Sequence, residues 1–174
     1  MKNIIITGDD FGLALPVNEA IARAHDEGVL TSASLMVGAP FSGDAVERAR
    51  RAPTLRVGLH LTLVEGRPVL PPERVPDLVD AGGRFSTHLA QSGFRFFFLP
   101  RVRRQLQMEI RAQFEAFGAT GLDLDHADAH NHMHLHPTIL GLMLKTGREY
   151  GLHSVRLPAE PPLRSWRAAR RRLG

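Results

Sequence analysis

Five of the nine histidines fall in one twelve-residue run, Asp125 to His136, at positions 126, 130, 132, 134 and 136. Neutral imidazole nitrogens and ionised carboxylate oxygens are standard ligands for a divalent cation, so the run is a candidate metal site. The five histidines share one parity, and on an extended strand all would project from one face. Such a face is too polar for an ordinary core. A solvated His-rich loop with adventitious metal affinity is the alternative reading of this segment.

Two further places carry chemistry. Asp9-Asp10 follows a short apolar run, where adjacent carboxylates are costly unless a cation or hydrogen bonds compensate them. As sequence neighbours they point different ways, which suits two roles: one carboxylate holds a metal and the other handles protons. An Asx turn or helix cap is the plainer reading. His60 interrupts the otherwise apolar Val57-Gly58-Leu59-His60-Leu61, where a lone histidine is more often a hydrogen-bonded core residue. It gains weight because Asp10 and His130 can reach the same point. An Asp-His-His set leaves coordination positions open for water and substrate. With Asp9 as general base and a second imidazole as proton donor, it suits hydrolysis of an amide or ester without a covalent intermediate.

The elements that must position these residues alternate between strand and helix. Strands are expected at residues 3–7, Ser32–Val37, Arg56–Thr62, Asp123–Ala129 and His153–Leu157. Helices are expected at Pro16–Glu27, Gly43–Arg51, Pro100–Phe117 and Thr138–Tyr150. Pro16 and Gly28 suit the two ends of the first helix. Residues 64–100, rich in Pro and Gly, give no clear pattern. The alternation predicts an α/β domain with parallel strands, in which chemistry gathers at the C-terminal strand ends. Asp9 and Asp10 after the first strand, His60 near the end of the third and His130 after the fourth would meet at one mouth.

The 174 residues suffice for one domain with a substantial core, and the 43% hydrophobic and 23% charged content is that of a globular protein. The absence of cysteine excludes disulfides and thiolate metal sites and fits a reducing cytoplasm. The apolar run Ile4-Ile5-Ile6 is too short for a signal peptide, and no stretch has the length of a transmembrane helix. Arg164, Arg167, Arg170, Arg171 and Arg172 contribute +5 of a net +4, which leaves the rest of the chain at −1. This basic tail reads as solvated charge. It is too little to predict a nucleic-acid partner.

Three segments combine into something more specific: Ile6-Thr7-Gly8-Asp9-Asp10-Phe11-Gly12, Gly58-Leu59-His60-Leu61-Thr62, and Asp125 through His134. In order and spacing they resemble the YdjC-like carbohydrate deacetylases, over essentially the whole chain. The resemblance implies a distorted (β/α) barrel related to polysaccharide deacetylases, and removal of the acetyl group from an N-acetylated sugar. It implies Asp10, His60 and His130 as ligands of one divalent metal, Mg²⁺ or Zn²⁺, and Asp9 as general base. His132 and His134 lie where the family is also His-rich and are candidates for the proton donor or for facing substrate. His126 and His136 read as structural.

The segments Phe94 to Gln105, His130 to Pro137 and Arg156 to Leu163 resemble the branch associated with hopanoid biosynthesis. That branch implies a glycolipid substrate, an N-acetylglucosaminyl hopanoid. Phe94, Phe96, Phe97 and Phe98 beside Arg101, Arg103 and Arg104 suit a lipid interface, and thus a cytoplasmic protein in peripheral contact with the inner membrane face. A buried helix start with an exposed basic face is the alternative. A closed (β/α) barrel takes roughly 250 residues. A single domain over 1–174, lacking the last barrel strands, is therefore expected, with a homo-oligomer covering the open edge. Two other readings of function remain: a metal-binding but catalytically silent fragment, and a metal-dependent phosphoesterase, for which no Gly-rich phosphate cradle is present.

Overall fold

A computed structural model describes residues 4–158. The Arg-rich tail and the Ala159–Leu163 part of the third branch-like segment lie outside the described residues. Strands β1 (Thr7–Phe11), β2 (Ser32–Leu35), β3 (Arg56–Leu61) and β4 (Ala127–Ala129) form one sheet in the order β1-β2-β3-β4. All the pairings are parallel. Helix α1 (Leu15–Asp26) connects the first pair and α2 (Ser42–Arg51) the second. Helices α3 (Leu89–Phe98) and α4 (Pro100–Ala119) precede β4, and α5 (Pro137–Glu149) follows it. Strands that neighbour one another in sequence order, each reached through a helix, have the arrangement of a (β/α) barrel wall; doubly wound sheets reverse direction instead.

The sheet separates its residues by parity. Ala33, Leu35, Val57, Leu59, Leu61, Ala127 and Ala129 are buried in the apolar core with Ile110, Phe114, Ile139 and Met143 of the helices. The alternate positions Ser34, His60, His126 and Asp128 are also buried, but they bond to one another across the other face. The inside of the sheet is therefore a polar layer and the outside an ordinary core, as period-two alternation requires. Gly58 makes that layer possible. A Cβ there would overlap the ring of His126. Gly58→Ala should cost about 1–3 kcal/mol by overpacking, read as a lower urea midpoint with an unchanged slope. An unchanged midpoint would show that the His126 ring can move aside freely.

Three sequence expectations need correction. The first strand begins at Thr7, leaving residues 4–6 of the expected span 3–7 outside it, because pairing with β2 starts at Thr7↔Ser32. Ile4 and Ile5 are 77% and 73% exposed, so apolarity did not mark the register. Asp9 and Asp10 consequently lie within β1 rather than after it. Second, β4 ends at Ala129 as expected but covers only Ala127–Ala129 of the span Asp123–Ala129, and a 3-10 segment, His130–Leu135, follows it. Asn131 and His132 there have φ of 52° and 54°, so the five histidines do not line one face. Third, the expected strand at His153–Leu157 is a single parallel bridge, Ala127↔Val155. Ala127 N–H donates to the Ser154 carbonyl at 3.0 Å and Arg156 N–H to the Ala127 carbonyl at 3.2 Å, which sets Arg156 beside β4.

The stretch that gave no clear pattern contains helix α3, and the loop before it, from Thr62 to Asp77, is held by side chains in place of a strand ladder. Gln105, Glu109 and Gln113 are buried on one stripe of α4, four residues apart. Gln113 both accepts from Thr62 N–H (2.9 Å) and donates to the Thr62 carbonyl (2.7 Å). Glu109 accepts from the N–H groups of Val69 (2.8 Å) and Leu70 (3.1 Å), and Gln105 from that of Asp77 (2.8 Å). Burial raises the pKa of Glu109, and these hydrogen bonds oppose the rise.

Candidate metal centre

Asp10 sits where β1 loses register with β2, between Gly8 and Phe11, and its φ is +61°. A non-glycine residue is held there only when its surroundings over-determine it. The twist aims the carboxylate at two rings. His130 Nδ1–H donates to Asp10 Oδ1 at 2.9 Å, and His60 Nε2 lies 3.3 Å from the same oxygen. The rings of His60 and His130 meet edge to face with centroids 5.6 Å apart. One ligand atom from each of Asp10, His60 and His130 lies within 4.8 Å of the others, so the donor set fits a single cation.

Each donor is backed by a second group. His60 is 3% exposed, and its Nδ1–H donates to Asp128 Oδ1 at 2.7 Å. Burial disfavours charge on this imidazole, but Asp10 and Asp128 together outweigh it and push its pKa up to about 9. Hydrogen bonds from His130 and His60 hold the Asp10 carboxyl far below the usual carboxylate range, against some desolvation. Asp128 is fully buried, which by itself raises its pKa. The His60 contact and the Arg156 charge more than offset that, and its net shift is downward.

Asp9 faces another way. Arg156 grips it with both nitrogens, Nη1 to Oδ2 and Nη2 to Oδ1, each at 2.7 Å. The same guanidinium lies 2.8 Å from Asp128 Oδ2 and 3.2 Å from Ser34 Oγ. Asp9, His60 and Asp128 also approach one another closely enough to hold an ion. Arg156 between the two carboxylates already supplies the positive charge there, so this second triad does not suit a cation.

The structure thus brings Asp10, His60 and His130 together, with Asp9 alongside on Arg156. His134 is elsewhere: it is 1% exposed, and its Nε2–H donates to the Arg156 carbonyl at 2.9 Å. Burial lowers its pKa, which keeps the ring neutral. His132 is exposed, its ring centroid 6.0 Å from that of His134. It lines a shallow cleft with Phe94, Phe97, Phe98 and His136. His126 lies between Ser34 Oγ (3.0 Å) and Asp125 Oδ2 (3.1 Å). Sequence reasoning gave no role to Asp128, Arg156 or Ser34. The available signal was parity for Asp128, two residues from both His126 and His130, and a lone charge in Val155-Arg156-Leu157 for Arg156.

Fold and site together define a barrel-like α/β protein with an Asp/His constellation at its strand ends. The chain belongs to the YdjC-like protein family, whose profile matches residues 3–174. It is 43% identical over 150 residues to a carbohydrate deacetylase of Brevibacillus brevis, covering 84% of this chain and 56% of that one. A carbohydrate deacetylase of Vibrio cholerae is 38% identical over 149 residues, with the same coverage of 84% and 56%. Among solved structures, a protein from Enterococcus faecalis V583 provisionally described as a cellobiose-phosphate cleavage protein superimposes with a TM-score of 0.76 at 36% identity. That match covers 91% of this chain and 59% of the other. The chain therefore spans a little over half the length of the relatives it matches.

Proposed function

We propose that this chain carries the catalytic centre of a metal-dependent deacetylase acting on N-acetylated sugars. The observation that carries the reading is the convergence of Asp10, His60 and His130 from β1, β3 and the end of β4, with Asp9 fixed beside them. The deacetylase descriptions of the relatives support the reaction class. Two imidazoles and one carboxylate suit Zn²⁺, and Mg²⁺ is the second ion to test. A bound divalent ion supplies Lewis-acid polarisation of the acetyl carbonyl and a more acidic water.

This chain's residues do the rest. Asp9, oriented by Arg156, takes the proton as water adds to the acetyl carbon. His132, exposed and two residues from His130, protonates the sugar nitrogen as the C–N bond breaks, releasing acetate and a free amine. His134 serves from behind by fixing the Arg156 backbone.

The finer reading is an N-acetylglucosaminyl hopanoid glycolipid, met in peripheral contact with a membrane. Its support is the branch-like sequence segments and the apolar cleft that His132 helps to line, where Phe94, Phe97 and Phe98 are 63%, 49% and 58% exposed. Acetate release should be measured from N-acetylglucosamine oligomers and from an N-acetylglucosaminyl lipid in vesicles, with and without EDTA. EDTA should abolish turnover and added Zn²⁺ or Mg²⁺ should restore it. Release that is indifferent to EDTA would sink metal dependence. Equal rates on soluble oligomer and vesicle lipid would sink the glycolipid reading.

A further inference from the structure

The described chain contains four non-glycine residues with positive φ: Asp10, Glu65, Asn131 and His132. Asp10 belongs to the centre, and Asn131 and His132 directly follow His130. Glu65 comes from a different loop, yet it ends at the same place. Its Oε2 accepts from Asn131 Nδ2 at 3.0 Å and lies 3.7 Å from His130 Nε2. Backbone strain gathers at functional sites when the structure around it fixes the chain. Here the fixing is visible on both sides of Glu65. Gln113 takes both backbone groups of Thr62, and Glu109 takes the amides of Val69 and Leu70. Between them, Glu65 N–H donates to the Ser86 carbonyl at 3.3 Å and Phe85 N–H to the Gly66 carbonyl at 2.9 Å. Loop residues 62–70 are pinned at four points, and the left-handed Glu65 is what lets its side chain reach the centre.

We propose that Glu65 is a positioning residue of the metal centre. It holds the chain beside His130 through its hydrogen bond to Asn131 and sets a carboxylate facing the Nε2 side of the ring, so that Nδ1 stays aimed at the point shared with Asp10 and His60. This rests on the metal reading above. Asp128 backs His60 from the Nδ1 side by a direct hydrogen bond of 2.7 Å, whereas Glu65 faces His130 at 3.7 Å. Carboxylates behind ligating histidines fix ring orientation, and their loss commonly weakens metal binding by about 10–100-fold.

Glycine takes a positive φ without strain, so Glu65→Gly separates a role in metal binding from a role in holding the fold. The experiment titrates Zn²⁺ by calorimetry into the metal-free full chain, its Glu65→Gly and its Glu65→Gln variants, and records the melting temperature of each metal-free protein. Glu65→Gly should keep the melting temperature within about 3 °C and raise the Zn²⁺ dissociation constant about tenfold. Glu65→Gln keeps an acceptor oxygen for Asn131 and should recover most of the lost affinity. Unchanged Zn²⁺ affinity in Glu65→Gly would overturn the proposal. So would a fall in affinity matched by a large fall in melting temperature, or a Glu65→Gln variant as weak as Glu65→Gly. A wild-type chain that takes up no Zn²⁺ would instead remove the metal reading on which the proposal stands.

Discussion

Asp9→Asn should leave metal uptake intact and lower turnover on an N-acetylated sugar by about 10²–10⁴-fold, the usual contribution of a positioned general base. The separation follows from how β1 divides two adjacent carboxylates. Asp10, at φ +61°, turns to His60 and His130, whereas Asp9 is held by Arg156 through both oxygens at 2.7 Å. Asparagine keeps one carbonyl oxygen for that guanidinium, and Arg156 retains Asp128 at 2.8 Å, so the local structure persists. What is lost is a group able to accept a proton. Metal content per chain and kcat, measured on the same preparation, check this. Full activity in Asp9→Asn would move the base elsewhere, and loss of metal together with activity would place Asp9 among the ligands.

Much of this arrangement was legible in the sequence, for a physical reason. In Val57-Gly58-Leu59-His60-Leu61 the apolar residues fall on one parity, with a glycine and a histidine on the other. A strand buried on both faces must resolve that alternation into a core side and a polar side. The same logic brings Asp10, His60 and His130 to one end of a parallel sheet. The failures have physical reasons too. Apolarity says which residues prefer burial but not where parallel pairing begins, so Ile4 and Ile5 misplaced β1. The shared parity of the five histidines does not carry past Ala129, because Asn131, a residue type that tolerates left-handed backbone, turns the chain there. Helix α3 within residues 64–100 was not legible, and the loop from Thr62 to Asp77 carries no strand periodicity because its partners lie on α4, in Gln105, Glu109 and Gln113. On an amphipathic helix such polar residues read as the solvent side, and nothing local shows that they face a loop.

His60→Ala should remove metal uptake and also destabilise the metal-free protein by about 3 kcal/mol, at the lower end of the cost of breaking a buried pair. The imidazole is 3% exposed and stands between Asp10 and the fully buried Asp128. Without it Asp128 keeps Arg156 and Ser34 as partners, which limits the penalty. The pH dependence distinguishes this from loss of packing alone. The His60 pKa is raised from 6.5 to about 9 in the folded metal-free chain. A raised imidazole pKa gives stability that is full below the unfolded value and is lost as pH rises through the folded one. Metal-free wild type should therefore lose stability between pH 6.5 and about 9, and His60→Ala should lack that component. The same proton must leave when a cation takes His60 Nε2, so Zn²⁺ affinity should rise with pH over this interval. Proton release should then appear as a binding enthalpy that changes with the ionisation enthalpy of the buffer. Denaturant melts of both proteins across this range test the first effect, and calorimetry in two buffers the second. A His60→Ala profile parallel to wild type would mean that His60 is not the cation bridging the two carboxylates.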